Sequence, residues 1–586
     1  METTDTGVLI RPTALKRFTT RLRRPLAKVL QRLRERRFQA VLAVTAVSTA
    51  LIIYSGFPLF IGLPLATNYI WNGGGDGVSW DDDTNWTGPG GTYPDDNDDY
   101  AYIPYNIGGD IVTPAGAPLT IGQLNHGYDG NPAHSVASTL TLQNDLTVEK
   151  GGTVTNPGRA VNGYDSVVDA NGHNMRIEDG FLVIGTLNCG SGDHTFGIAD
   201  DDNGINIADS PGIFNGGSGD HTMSLFATGS GTATLTSGTT TLNKKNTVGA
   251  DDWSFVYGNP AAFSAGGGTL KFTTGSTNFR STNNLKITLA TLEVDTDVGW
   301  ETGGGWGSDL DATSIIINNG DTLTLAVGGY TYTVSGQTTI YGTLVGSSST
   351  MSLGATYTAD AAVLIDGGIL NQDSGTLTIG SLETSNGTLT QTGTITVSSA
   401  ASDTDRAWNV TGTATYTHNN NIVKFTHDGS FDIYMPPTVA NFYTTQFDDT
   451  DLTAEFTSDI TWDNVIDLDN GTIVFGEHTY TFKDGAQSTF AAGTTVNITK
   501  STLVSSNPGT ACEWNANAAA NIVVSHITVT DNDASPGATI YAYDSTNGGN
   551  NDNWVFRTSG GGGHIVGIQI IQKDIPGHRL IGNEPR

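Results

Sequence analysis

Charged side chains are scarce in this sequence, because Asp, Glu, Lys and Arg together make up only 15% of its 586 residues. A typical soluble domain has about 25%. Cysteine is nearly absent, with only Cys189 and Cys512, which excludes a disulfide framework. The motifs Gly-x-Ser-x-Gly, Walker A, His-Glu-x-x-His and Cys-x-x-Cys do not occur. The sequence therefore shows no sign of the enzyme classes that depend on these motifs.

Positive charge is also nearly missing beyond the N-terminal segment. Eleven of the 27 Lys and Arg residues lie within residues 11–37. Residues 38–586 carry only 16 basic residues against 56 acidic ones. Because nucleic-acid phosphates repel such an acidic surface, the composition argues against nucleic acid as a partner of this part of the chain. It predicts a soluble body that attracts cations.

No charged residue interrupts the chain from Phe38 to Gly75, and an apolar segment covers residues 38–66. A membrane span needs about 20 apolar residues. Since positively charged flanks stay in the cytoplasm, we predict a basic cytoplasmic segment over residues 1–37 and membrane contact through residues 38–66. This helix is either an uncleaved transmembrane anchor, which we favour, or a signal peptide. Both alternatives place the rest of the chain at the cell surface or in the extracellular space.

Glycine and threonine are abundant, and threonine alternates with apolar residues in a repeated pattern. Residues 375–398 contain three short alternating runs, each opened by a glycine. Alternation at period two puts the apolar residues of a strand on one face, and here they are Leu377, Ile379, Leu389, Ile395 and Val397. Strands this short need copies stacked above and below them. We therefore predict an all-β solenoid over residues 111–556, with a β-sandwich as the alternative.

One hexapeptide occurs twice, at residues 190–195 and again 27 residues later. In a solenoid this spacing suits one coil, so we predict that the two copies form equivalent corners and bring His194 beside His221. Together with Asp193 and Asp220, the two histidines are a candidate metal site. A corner held together by its own hydrogen bonds is the alternative that we favour.

The two cysteines are separated by 323 residues. In a stacked solenoid this separation corresponds to about 60–80 Å, whereas a disulfide needs Cα atoms within about 7 Å. We therefore predict that Cys189 and Cys512 are unpaired and mostly buried.

Residues 67–110 contain the pattern Trp-x-Gly, Gly-Asp-Gly, Trp-x-Asp, Asn-Trp and Pro-Asp-Asp, followed by a β run. This pattern resembles the start of secreted bacterial β-helix proteins, such as autotransporter passengers and filamentous-haemagglutinin-like adhesins. The resemblance implies a right-handed parallel β-helix whose first coil is covered by a Trp-rich N-terminal cap. The alternative role of the cap is to stack glycans on Trp71, Trp80 and Trp86.

The C-terminal part resembles the closing coil of the same proteins, since an Asn-rich loop ends in Asn553-Trp-Val-Phe556. Residues 401–445 are rich in aromatic side chains, and we predict an irregular junction there. Residues 557–586 form a Gly-rich linker and a tail. They are far too few for the membrane barrel of an autotransporter.

Few residues are candidates for binding or catalysis. Asp200, Asp201 and Asp202 form an acidic run that we consider a calcium site, although it fits neither an EF-hand nor a Gly-Gly-x-Gly-x-Asp repeat. No cofactor is required, and Ca2+ is the one candidate. No catalytic residues converge, so a function without catalysis is favoured while the enzyme question stays open.

We therefore expect an extracellular structural or adhesive protein that binds surface glycans or neighbouring cells. One alternative is a polysaccharide lyase or glycoside hydrolase of β-helix fold. The other is a self-associating subunit of a surface layer or filament.

Overall fold

The computed structural model describes residues 67–104, 107–127, 138–149, 160–162, 166–178, 180–197, 204–207, 212–229, 231–244, 253–257, 263–273, 277–281, 286–300, 309–401, 405–438 and 441–559. All of them belong to one compact unit, Ala66–Arg586. The predicted cytoplasmic and membrane segments, the run Asp200–Asp202 and the tail after residue 559 lie outside the described residues. Among the helices of the described part, none is long and apolar enough to cross a membrane.

The described chain begins with a small antiparallel pair, β1 (Thr67–Trp71) and β2 (Trp86–Thr87), joined through a 3-10 helix at Asp83–Asn85. The segment before the helix covers an edge of the first coil, since Trp80 N–H donates to the Val112 carbonyl at 2.9 Å and Val112 N–H donates to the Val78 carbonyl at 2.9 Å. Backbone groups that an open edge would leave unpaired are thereby satisfied.

The first coils contain three strands each, which stack into three parallel ladders. Their strands are β3 (Asp99–Ile103), β4 (Gly109–Val112), β5 (Leu119–Ile121), β6 (Gln123–His126), β7 (Ser138–Thr141), β8 (Leu146–Val148), β9 (Ala160–Asn162), β10 (Val167–Asp169), β11 (Met175–Ile177), β12 (Phe181–Val183), β13 (Thr186–Asn188), β14 (His194–Phe196), β15 (Ile205–Ile207), β16 (Ile213–Asn215), β17 (His221–Met223), β18 (Phe226–Thr228), β19 (Thr232–Thr234), β20 (Thr239–Leu242), β21 (Trp253–Tyr257), β22 (Phe263–Ser264) and β23 (Thr269–Phe272). The second ladder ends at β22.

In the middle coils, single strands of up to eight residues extend over two adjacent faces of the solenoid. The strands are β24 (Thr277–Ser281), β25 (Ile287–Val294), β26 (Val298–Trp300), β27 (Leu310–Ile317), β28 (Thr322–Thr324), β29 (Thr331–Val334), β30 (Thr338–Ile340), β31 (Thr343–Val345), β32 (Thr350–Leu353), β33 (Val363–Ile365), β34 (Ile369–Asn371), β35 (Thr376–Ile379), β36 (Leu382–Thr384), β37 (Thr388–Thr390), β38 (Ile395–Val397), β39 (Arg406–Val410), β40 (Thr415–Thr417), β41 (Ile422–Phe425) and β42 (Ser430–Tyr434). The first ladder, a sheet of 16 strands, ends at β40.

The last coils are β43 (Phe442–Phe447), β44 (Thr453–Phe456), β45 (Ile460–Leu468), β46 (Thr472–Phe475), β47 (Thr479–Phe482), β48 (Gln487–Phe490), β49 (Thr495–Thr499), β50 (Thr502–Ser505), β51 (Cys512–Ala516), β52 (Asn521–Ser525), β53 (Thr528–Thr530), β54 (Asn532–Asp533), β55 (Ile540–Tyr543), β56 (Thr546–Gly549) and β57 (Trp554–Arg557). A new ladder starts where Phe442 pairs with Trp462, and it continues through β47, β50, β53 and β56. The ladder along this face is thus interrupted between β40 and β43.

The parallel ladders confirm the predicted all-β parallel β-helix and exclude the β-sandwich. The period-two interpretation of residues 375–398 is also confirmed. Leu377 pairs with Ile395 and Ile379 with Val397 in adjacent coils, and all four side chains are buried, as is Leu389. The handedness of the coil and the N-terminal helix stay predictions.

Aromatic rings stack from coil to coil inside the solenoid. Phe226, Phe255, Phe279 and Trp300 occupy matching register positions in successive coils. Their ring centroids follow one another at 5.1, 4.9 and 4.0 Å. Each parallel stack buries a large apolar area and fixes the register of its ladder.

Candidate functional site

The interruption of the ladder after β40 leaves a cleft of about 540 Å³ on this face. Its lining comes from Tyr416 and Thr417 of β40, from residues 418–420 directly after it, and from Asn441. Because no strand in the described part of the following coil pairs with β40, the loop after it is free to line a recess. The volume lies within the range of about 300–1,000 Å³ that is usual for small-molecule sites.

A network of charged and polar groups holds one wall of the cleft. The Nδ1 atom of His418 accepts a hydrogen bond from Asn420 N–H at 3.0 Å, so its Nε2 carries the proton and faces Asp463 Oδ2 at 3.3 Å. Asp463 also accepts from the Asn441 amide at 3.2 Å and pairs with Lys483 at 3.2 Å. The Asp463 carboxylate thereby connects three successive stretches of chain and keeps the imidazole in place.

Asparagines form the rim of the cleft. Asn419 and Asn420 have positive φ angles of 46° and 60°, a conformation that Asn tolerates better than most residues. The Asn419 amide donates to the Gln391 carbonyl at 2.8 Å. Within the described part of the chain, the exposed Asn420 side-chain amide makes no hydrogen bond, so it offers a donor and an acceptor to a ligand.

One lining residue, Tyr416, is a tyrosine, and a second tyrosine contacts the lining residue His418. Tyr416 is buried, and its hydroxyl donates to the Gln391 side-chain oxygen at 2.5 Å. Burial raises the pKa of this phenol, so the hydroxyl stays protonated. The His418 ring stacks on Tyr443 with centroids 5.5 Å apart. Of the lining groups, the Asn420 amide and the hydroxyl of the exposed Thr417 remain open to a ligand, and such groups suit a ligand rich in hydroxyl groups.

The three tryptophans predicted as glycan-stacking residues form an interior cluster. Trp71, Trp80 and Trp86 are all buried. The Trp86 ring lies edge-on to both neighbours, with centroid distances of 5.0 and 4.7 Å. Trp80 Nε1–H donates to the Pro94 carbonyl at 3.0 Å, and Trp86 Nε1–H donates to the Trp80 carbonyl at 2.7 Å. In this arrangement no ring face is open to a sugar.

The repeated hexapeptide forms equivalent corners, and His194 pairs with His221 in adjacent coils as predicted. The two aspartates have a different task. Asp193 accepts from Asp220 N–H at 2.9 Å, and Asp220 accepts from Thr239 N–H at 2.7 Å. These side chains form a ladder of hydrogen bonds between the corners of successive coils, whereas the favoured prediction placed the hydrogen bonds within one corner.

Both cysteines are free and buried, as predicted. Burial raises the pKa of each thiol, for Cys512 to about 12. Asp200, Asp201 and Asp202, the proposed calcium ligands, lie outside the described residues.

A row of charged side chains crosses the outer face of β39, β42 and β44. In the register of the ladder, Arg406 lies opposite Asp432, and Asp432 lies opposite Glu455 of the next coil. Burial, reinforced by Glu455, raises the pKa of Asp432 to about 6, while Arg406 opposes this change. Two carboxyl groups at adjacent ladder positions, one of them with a pKa raised toward neutral pH, are groups that acid–base catalysis uses.

All six lining residues lie within residues 401–445, where the sequence predicts an irregular junction, but the sequence does not mark them as a binding site. Asp463 and Lys483, which hold one wall, lie in later coils. The tripeptide of asparagines at residues 419–421 was a usable signal, because consecutive Asn residues after a strand indicate a left-handed turn. No family model, curated protein or solved structure matches this chain.

Proposed function

We propose that this protein is an extracellular structural or adhesive β-solenoid that binds surface glycans through the cleft lined by residues 416–420 and Asn441. The cleft itself is the observation that carries the proposal. Sugars present many hydroxyl groups and one apolar face, and they pair with amides, carboxylates and aromatic rings. Of these groups the cleft offers the exposed Asn420 amide beside the Thr417 hydroxyl, on stacked coils that need little ordering when a ligand binds.

Two features of the chain support a location outside the cytoplasm. The basic segment followed by the apolar segment over residues 38–66 is typical of exported or membrane-anchored proteins. The acidic remainder of the chain keeps the solenoid soluble and discourages association with nucleic acid.

The test is to incubate the purified full chain with a panel of polysaccharides, with and without calcium, and to record retention and cleavage together. Asn420→Asp tolerates the left-handed turn but replaces the amide donor with a charged acceptor. We expect about tenfold weaker binding, since one directed hydrogen bond is lost. Asn515→Asp, which adds the same charge at an exposed position of β51, is the matched control.

The outcomes separate the alternatives. Retention without cleavage that Asn420→Asp weakens and Asn515→Asp leaves unchanged supports the proposal. Equal retention of both variants would show that the polysaccharide binds at a surface other than the cleft. The absence of retention by every polysaccharide would sink the glycan proposal and favour a scaffold that associates with its own copies.

Polysaccharide cleavage is the second candidate function, because burial and the neighbouring Glu455 raise the pKa of Asp432 to about 6, toward neutral pH. In this alternative Asp432 acts as the general acid and Glu455 as its carboxylate partner. Cleavage of any polysaccharide that disappears in Asp432→Asn would support it. Cleavage that survives this substitution would assign the reaction to other residues.

A further inference from the structure

Three side chains with metal-ligand atoms meet in the core between the two copies of the repeated corner. Cys189 follows β13, His194 begins β14, and His221 begins β17 in the next coil. All three residues are buried. The thiol sulfur and one nitrogen of each imidazole lie within 4.8 Å of one another. The two rings are 5.0 Å apart between centroids, at an angle of 72°.

His221 is a buried polar side chain that lacks a partner. Within the described residues, neither of its ring nitrogens makes a hydrogen bond. Native proteins rarely leave such a group unsatisfied, so its presence needs an explanation. A buried imidazole in its uncharged form has a nitrogen lone pair available for a metal ion.

His194 is oriented by the backbone on both sides. Met175 N–H donates to Nδ1 at 3.1 Å, and Nε2–H donates to the Cys189 carbonyl at 2.9 Å. A metal-bound histidine keeps one such contact to a carbonyl or another polar group, which holds the ring in place. Binding at His194 thus exchanges one hydrogen bond for the ion and retains the other.

We propose that Cys189, His194 and His221 form an enclosed site for one thiophilic transition-metal ion, Cu(I) or Zn(II). A thiolate and two imidazoles are soft or borderline ligands that select these ions, while the lack of a carboxylate in the set disfavours calcium and magnesium. Ligand atoms in such sites lie about 3.3–4 Å apart, so binding draws the three side chains together by up to about 1 Å. The thiol loses its proton to solvent as the sulfur–metal bond forms.

The site is enclosed, so an ion enters most readily while the chain folds. The full chain is therefore unfolded and refolded under reducing conditions with Cu(I) in one arm and Zn(II) in the other. After removal of free metal, bound metal is measured by elemental mass spectrometry, and thermal unfolding is recorded. We expect about one ion of Cu(I) or Zn(II) per chain and a higher midpoint than for the metal-free protein, since a ligand that binds only the native state stabilises it.

Cys189→Ala should abolish the retained ion, whereas Cys512→Ala, which removes the other buried thiol, should retain it in full. His221→Phe provides a second variant that fills the same space without a nitrogen and should also lose the ion. Folding of each variant is checked by circular dichroism. Absence of retained metal in the unsubstituted chain, or equal retention by Cys189→Ala and Cys512→Ala, would overturn the proposal.

Discussion

At the scale of single residues, Asp432 links proton binding to stability. Its raised pKa means that the native state holds a proton that the unfolded chain releases between about pH 4 and pH 6. The native state therefore binds more protons in this window, and stability falls as the pH rises through it. Asp432→Asn removes this loss. We expect the variant to be more stable than the parent by about 1 kcal/mol at pH 8, after allowance for partial exposure, and equally stable at pH 4.

Urea unfolding at the two pH values measures this difference. Asp448→Asn serves as a control of opposite sign, because hydrogen bonds and charge from Lys424 lower the pKa of Asp448. Its contribution to stability is present above the ordinary pKa and is lost on acidification, so this variant should be destabilised at pH 8. If Asp432→Asn were also less stable than the parent at pH 8, the raised pKa would be refuted.

Substitution of Ile379 tests whether buried and exposed side chains alternate along β35 as the sequence predicts. The side chain is buried in β35, whereas Thr376 in the same strand is exposed. Ile379→Asp places an unpaired charge in the core, and we expect a loss of at least about 3 kcal/mol. Thr376→Asp adds the same charge on the outer face and should change stability by less than about 0.5 kcal/mol. Thermal unfolding followed by circular dichroism compares the two, and equal midpoints would contradict the assignment of faces.

At the scale of elements, glycine allows the coils to approach at the corners. A Cβ atom on Gly219 would overlap the carbonyl oxygen of Gly192 in the neighbouring coil, whereas one on Gly116 would meet nothing within 4 Å. Gly219→Ala should therefore cost about 1–3 kcal/mol through overpacking. Gly116→Ala should be neutral or stabilise by up to about 1 kcal/mol, because it restricts the unfolded chain. Chemical denaturation curves of both variants measure the contrast, and similar losses would show that coil spacing does not limit this corner.

The elements also show which features a sequence can and cannot reveal. The faces of residues 375–398 follow from period two, and the contact of His194 with His221 follows from a repeat of one coil. The role of Asp193 was missed, because the N–H group that it binds belongs to Asp220 and becomes a neighbour only when coils stack. Cys189 lies five residues before His194. Whether its thiol lies close to the two histidines depends on the path of the turn between Cys189 and His194, which the sequence does not give.

The cleft was harder to foresee for a physical reason. It arises because the ladder stops after β40 and starts again at Phe442. The aromatic-rich residues 401–445 predict an irregular junction, but local propensity does not show that the ladder stops there, since β40 keeps its ordinary alternation. Asp463 and Lys483 belong to later coils. Their contribution to the wall depends on which coils stack on each other, and the sequence alone does not give that alignment.

At the scale of the whole described unit, stability is the sum of contacts between neighbouring coils, so the ends matter most. The N-terminal cap satisfies edge groups through the backbone of residues 78–80, and Trp80 anchors it in the interior. Trp80→Ala should release the cap and expose strand edges. Exposed edges pair with other chains, so we expect stronger concentration-dependent association than in the parent protein.

Sedimentation velocity over a range of concentrations measures that association. Val327→Ala removes an apolar side chain that is 59% exposed and should leave association unchanged, since it touches no cap and no edge. If Trp80→Ala sedimented like the parent at every concentration, the cap would not be what prevents edge pairing.

The acidic body would then be the stronger barrier to association, because like charges on two approaching ends repel. Added salt should in that case promote association of the parent protein and the variant alike.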